Sequence, residues 1–251
     1  MDVDTKILKQ TSRALYDFIT KYKAKKAANG LSLSDLELVV GVGIAADWLR
    51  WASSLEELSF SKRAEKHSRR VDGMAELTRF NFLWTATNAI FARPAILELL
   101  LPAGTNIDSM SELKRFRVLV NSAQLNAADV KTWSDNLHKI LGSEIQTKSF
   151  PWLPAGRTTL MWDVIHHKYT VKKQQSLGVG KEISKAVHSR NFTSLDFPAI
   201  IYATRNWNVH GALISSSFRS TPAKFLIYIQ TINNSLGQVL HGTSKALLAT
   251  I

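Results

Sequence analysis

The chain contains no cysteine. That absence removes disulfides, thiolate zinc sites and cysteine nucleophiles together, so any catalysis must rest on other groups. No stretch approaches 18 uninterrupted apolar residues, and the opening MDVDTKILKQ has no basic-then-apolar leader pattern. The sequence therefore shows no signal for export or membrane insertion, and a cytoplasmic location is expected. Metal-ligand spacing is missing too. His166 and His167 are adjacent, which would point them about 100° apart on a helix. Neither an H-E-x-x-H pattern nor a carboxylate cluster accompanies them, so no metal site and no cofactor are expected. Internal repeats and low-complexity segments are absent. Negative charge is scarce: 20 Asp and Glu stand against 32 Lys and Arg, a formal charge of +12 over 251 residues. That surplus favours polyanionic partners, nucleic acid first among them, although many soluble proteins are basic for solubility alone.

What is present is helical periodicity, and with 45% apolar residues the chain can bury one or two sizeable cores. Residues 4–28 set Leu8, Leu15, Phe18, Ile19 and Tyr22 on one side and bases on the other, and Gly30 ends the pattern. A second helix is expected from Ser34, where S-D-L-E has capping-box spacing, to about Leu58. Together they make an N-terminal helical hairpin over residues 1–60, followed by a helical domain over 61–251. Gly41-Val42-Gly43-Ile44-Ala45-Ala46 matches the G-x-G-x-x-A dinucleotide fingerprint, yet no series of alternating strands and helices follows it. Close helix packing at the two glycines is the better reading.

Residues 60–73 hold Lys62, Arg63, Lys66, Arg69 and Arg70, the densest positive run. It reads as a linker, as a solvated charge run, or as a helix face gripping phosphates. From Met74 to Leu101 the chain turns apolar, with Leu77, Phe80, Trp84, Thr87 and Phe91 at helical spacing and Asn88 one turn beyond Trp84, until Pro94 kinks or breaks the helix. Residues 102–175 read as a helical insertion: the loop PAGTNIDS, one helix over SELKRFRVLVNSA, another over NAADVKTWSDNLHKIL ended by Gly142, a Pro-rich loop, then TTLMWDVIHHKYT. Gly178-Val179-Gly180-Lys181 lacks phosphate-loop spacing and starts the helix KEISKAVHSR. Near the end, Thr221 and Pro222 open a long core helix to about residue 240, and His241-Gly242 reads as its terminus.

The most informative stretch is Arg205-Asn206-Trp207-Asn208-Val209-His210-Gly211. As a helix over about 195–213, it places Phe197, Ile200, Ile201, Thr204 and Gly211 in one inward stripe. Arg205, Asn206 and His210 then fall roughly 80°, 180° and 220° from Phe197, facing sideways and outward. Asn206 and His210 are an i,i+4 pair within touching range. A permanent cation, an amide and an imidazole that titrates near neutral pH suit a phosphate. A solvated helix face with a histidine near a glycine cap is the plainer alternative.

This R-N-x-x-x-H-G pattern resembles the signature of the HEPN superfamily of helical RNases and nucleotide-binding proteins. The stretch F-L-W-T-A-T-N-A-I-F around Asn88 is similar to the aromatic-rich early core helix of that superfamily. The resemblance covers the helices near 74–101, 194–213 and 221–240. It implies an all-α, HEPN-like bundle, metal-independent endoribonuclease activity in a toxin or defence setting, RNA as substrate and a homodimer that pairs signature helices. An inhibitory antitoxin or defence partner is also implied. The resemblance makes Arg205, Asn206 and His210 the catalytic group, with Asn88 and Tyr202 as candidate site neighbours. Asn88 reads equally well as a buried amide bonded to backbone. Lys62, Arg63, Lys66, Arg69, Arg70 and Arg219 are the candidate RNA-binding bases. In the toxins of the superfamily that pair with a nucleotidyltransferase, a Tyr two residues after the His is modified. Here that position is Ala212. Two rival functions remain: a non-catalytic nucleotide-binding or assembly module of the same superfamily, and a basic all-α DNA-binding protein.

Overall fold

The computed structural model describes residues 3–56, 68–146, 197–209 and 222–251. Among the described residues every regular element is a helix, eight in all, as an all-α bundle requires. They are α1 (Thr5–Lys26), α2 (Leu33–Ser54), α3 (Ser68–Phe91), α4 (Pro94–Leu100), α5 (Glu112–Ser122), α6 (Ala127–Gln146), α7 (Phe197–Val209) and α8 (Pro222–Leu248). The chain divides into two compact units. The first draws on Asp2–Glu56, Thr78–Leu125 and Leu236–Ile251, the second on Glu57–Leu77 and Asn126–Ser235.

In the first unit, α1 begins where the Asp4 carboxylate accepts from the Ile7 amide, and ends with Lys23, Lys25 and Lys26 at its negative dipole end. Leu8, Leu15, Phe18 and Tyr22 are buried, as their spacing requires. Gly30 has φ +72°, a left-handed turn that carries the chain into α2. The cap of α2 differs from the expected one: Ser32, not Ser34, holds the N-cap, and Asp35 closes the box. The reason is the company Asp35 keeps. Its carboxylate accepts from the Tyr22 hydroxyl and from the Ser32 hydroxyl at 2.6 Å and backbone amide at 2.9 Å, and pairs with Lys26 at 3.2 Å. That cluster binds the hairpin turn to α1, and S-L-S-D prevails over S-D-L-E.

Further along the hairpin, Ser12 donates to the Ala46 carbonyl at 2.8 Å and Tyr16 to Asp47 at 2.6 Å. Gly41 packs on Ala89 and Arg93, a helix contact and not a dinucleotide loop. α2 stops at Ser54, short of Leu58, because the buried Arg79 guanidinium donates to the carbonyls of Ala52 and Leu55. On α3, Trp84 and Phe91 form a cluster with Phe116 of α5, with ring centroids 5.5–6.0 Å apart. Pro94 breaks the helix as expected and stands in the first turn of α4.

Two further helix ends differ from expectation. Gly142 lies inside α6, which runs on to Gln146. His241-Gly242 lies inside α8, which continues to Leu248. Tertiary contacts explain the second. Gly242 packs directly on the backbone of Ala123, and the Thr243 hydroxyl donates to the Leu119 carbonyl at 3.3 Å. His241 Nδ1 lies 3.1 Å from the Thr11 hydroxyl, which itself lies 2.7 Å from the Ile7 carbonyl.

In the second unit, the Asn233 amide nitrogen donates to both the backbone carbonyl and the carboxylate of Glu76, each at 2.8 Å. Both residues are buried. No helix among the described residues is long and apolar enough to cross a membrane.

Candidate functional site

The described part of the signature helix is α7. Ile200, Ile201 and Thr204 are fully buried, the stripe read from the sequence. Thr204 donates to the Ile200 carbonyl at 2.8 Å, and its oxygen lies 2.6 Å from the Tyr228 hydroxyl on α8. A threonine has one hydroxyl proton, already given to Ile200, so Tyr228 is the donor in the second bond. Burial pushes the Tyr228 phenol up, with a smaller opposite pull from Thr204, so it stays protonated and able to donate. This chain of two bonds fixes the rotation of α7 at the residue next to Arg205.

Arg205 is half-buried on the flank of α7. Its guanidinium carbon stands 5.9 Å from the centre of the Tyr202 ring, one turn earlier. At that range the ring face attracts the cation by about 0.5–1 kcal/mol and holds the fork near the helix. Tyr202 is thus a neighbour of Arg205 on the same helix. Asn206 is within α7, but its side chain lies outside the described residues, as does His210 altogether. The expected approach of Asn206 to His210 therefore falls outside the description.

Asn88 is exposed on α3 and belongs to the first unit, so the alternative of a buried, backbone-bonded amide does not hold. Arg69 and Arg70 are in the first turn of α3 with side chains outside the described residues. Lys62, Arg63, Lys66 and Arg219 lie outside them entirely.

Tyr228 is the residue that sequence reasoning missed. Its only sequence signal is a tyrosine among the aliphatic positions of α8, which identifies a buried hydroxyl but not its partner. Among the described residues no three His, Asp or Glu side chains gather as metal ligands. No protein-family model matches the chain, and no curated protein or solved structure matches it.

Proposed function

We propose that the chain is a metal-independent endoribonuclease of HEPN type that acts in a toxin or defence role. The observation that supports this most directly is the setting of Arg205. It follows a threonine that is fully buried and bonded on both sides, yet it is itself half-exposed beside Tyr202. A rigid helix thereby presents a guanidinium at its flank, and the sequence places an imidazole five residues on, at His210.

In this reading RNA itself supplies the nucleophile. The 2′-oxygen attacks the adjacent phosphorus, the 5′-oxygen leaves, and the products are a 2′,3′-cyclic phosphate and a free 5′-hydroxyl. His210 moves the proton from the 2′-hydroxyl or to the leaving oxygen, Asn206 orients His210, and Arg205 stabilises the charge that grows on the phosphorane. Lys62, Arg63, Lys66, Arg69, Arg70 and Arg219 serve as the phosphate-binding bases. A second copy completes the pocket by pairing signature helices, and an inhibitory partner restrains the activity until it is needed.

The test is incubation of the purified protein with RNA and with the all-deoxy equivalent, with and without EDTA. Cleavage of RNA alone, unaffected by EDTA, with cyclic phosphate ends and loss of activity in Arg205→Ala and His210→Ala, is the expected result. Magnesium dependence or cutting of the deoxy strand would overturn it. Nucleotide binding without cleavage would assign the chain to the non-catalytic reading.

A further inference from the structure

The two signs of charge are unevenly shared within the first unit. α1 holds seven Lys and Arg against one acid, Asp17, whereas the rest of the unit holds seven against nine. A surface made basic for solubility alone intersperses both signs. On α1 they are segregated. Leu8, Leu15 and Phe18 are buried, and Lys6, Lys9 and Arg13 lie exposed on the side turned away from them. At 100° per residue those three cations fall within about 60° of one another, and at 1.5 Å per residue they cover about 10 Å of axis. None of the three has an ion-pair partner among the described residues, and Asp17 is taken by Lys21 at 2.9 Å. This arrangement works against the helix itself. Neighbours of like charge at i,i+3 and i,i+4 repel, and Lys6 stands in the first turn, at the positive end of the helix dipole. Lys23, Lys25 and Lys26 stand at the negative end, where they favour the helix. Helix stability accounts for that second group of bases and not for the first.

We infer that the face of α1 formed by Lys6, Lys9 and Arg13 grips the sugar-phosphate backbone of double-stranded RNA, without regard to base sequence. Three features select that partner. The first is length: one strand of a duplex carries a phosphate about every 3.4 Å of axis, so about 10 Å of cations covers about three phosphates. The second is the absence of an apolar centre, since the other exposed residues of this face are Gln10, Asp17, Thr20 and Ala24. A protein partner calls for an apolar centre inside a polar rim, and a lipid surface for apolar groups to insert between its chains. A phosphate backbone calls for neither. The third concerns single strands, which need open aromatic rings on which bases stack. The one tyrosine at the border, Tyr16, is held toward α2 by its 2.6 Å bond to Asp47. The choice of RNA over DNA rests on the ribonuclease reading above; the grip on phosphates does not.

Fluorescence anisotropy of the full chain tests this, with a labelled 2′-O-methyl RNA duplex of about 20 base pairs that keeps the A-form backbone and lacks the hydroxyl needed for cleavage. Lys6→Gln, Lys9→Gln and Arg13→Gln together are expected to weaken binding on the order of tenfold, equally for duplexes of different sequence. The slope of log affinity against log salt should become shallower by about 2–3. Removal of three other exposed cations, by Arg50→Gln, Lys114→Gln and Lys131→Gln, should change binding far less. Glutamine matches lysine and arginine in helix propensity, so the melting temperature of the first variant should not fall. Equal weakening by both variants would assign the effect to net charge and overturn the inference, as would an unchanged affinity and slope. A first variant that melts lower or fails to fold would show that these bases serve the helix, and overturns it as well. Tighter binding of an all-deoxy duplex, or flotation of the wild type with phosphatidylserine vesicles that the first variant loses, names another partner and does the same. Cleavage is scored separately: a wild type that binds this duplex and cuts no RNA refutes the ribonuclease reading and leaves the grip on phosphates standing.

Discussion

One substitution should act with opposite signs at two positions of the first unit. Gly43 and Gly242 both lie inside helices, where glycine costs about 1 kcal/mol relative to alanine. A Cβ on Gly43 would meet only the Ile19 Cδ1 atom at 3.7 Å, an ordinary contact. Gly43→Ala should therefore stabilise by about 1 kcal/mol, close to the full propensity difference. A Cβ on Gly242 would fall on the oxygen, Cα and carbonyl carbon of Ala123. Backbone cannot swing aside as a side-chain tip does, so α8 would have to move away from the end of α5. Overpacking of this kind costs about 3 kcal/mol at the upper end of its usual range. Less the propensity gain of about 1 kcal/mol, a net loss of about 2 kcal/mol is expected. For a chain of this size the melting temperature should rise by about 2–4 °C in Gly43→Ala and fall by about 4–8 °C in Gly242→Ala. Thermal unfolding followed by far-ultraviolet circular dichroism reads both. Shifts of the same sign, or a Gly242→Ala protein as stable as wild type, would refute the packing argument.

Three further outcomes can be checked. Tyr228→Phe should cost about 1 kcal/mol by urea unfolding, since it removes one buried donor while Thr204 keeps its bond to Ile200; no change would mean that the Tyr228 bond adds nothing. Arg205→Ala should abolish RNA cleavage while its melting temperature stays near wild type, because Arg205 is half-exposed on the flank of α7 and truncation there costs little; an unfolded variant would show that Arg205 serves the fold instead. Acid should weaken the first unit in two stages. Burial, then Lys245, lower the His241 pKa, so the unfolded chain takes up that proton first and stability declines as pH falls below about 6.5. Hydrogen bonds from Ser32 and Tyr22 hold Asp35 below the usual carboxylate range, so its contribution is complete above about pH 4 and is lost as pH falls further. Urea midpoints across this range should show both stages, and Asp35→Asn should remove only the lower one; a midpoint that is flat from pH 7 to 5 would contradict the His241 assignment.

The helices were legible because their apolar spacing is strong: Leu8, Leu15 and Phe18 in α1, Phe80 and Phe91 in α3, and Ile200, Ile201 and Thr204 in α7 all face inward. Pro94 was legible because proline lacks an amide proton and fixes its own backbone. The ends that differed were decided by partners distant in sequence. Tyr22 and Lys26 favour the Ser32 cap, Arg79 takes the last carbonyls of α2, and Ala123 draws Gly242 into continued helix. At the candidate site the residue types and their spacing were readable, and so was the inward turn of Thr204. Its bond to Tyr228, 24 residues away, was not, because periodicity states which side of a helix is buried and not what it meets. For α2, periodicity could not separate an inward from an outward apolar side, since both are present: Leu38 and Val42 are buried, Val40 and Trp51 exposed.

The Thr11 contact of His241 determines more than where α8 lies. Thr11 spends its single hydroxyl proton on the Ile7 carbonyl, so the bond to the ring must be donated by Nδ1. The imidazole is then one tautomer, Nδ1–H, with its lone pair at Nε2. Acid adds its proton at Nε2 and leaves the relay through Thr11 to Ile7 unbroken. Whatever acidification costs through His241 is thus a cost of charge, set by desolvation and by Lys245, while the connection itself survives. In nitrogen-15 spectra at neutral pH, the His241 ring should show a protonated Nδ1 and a bare Nε2.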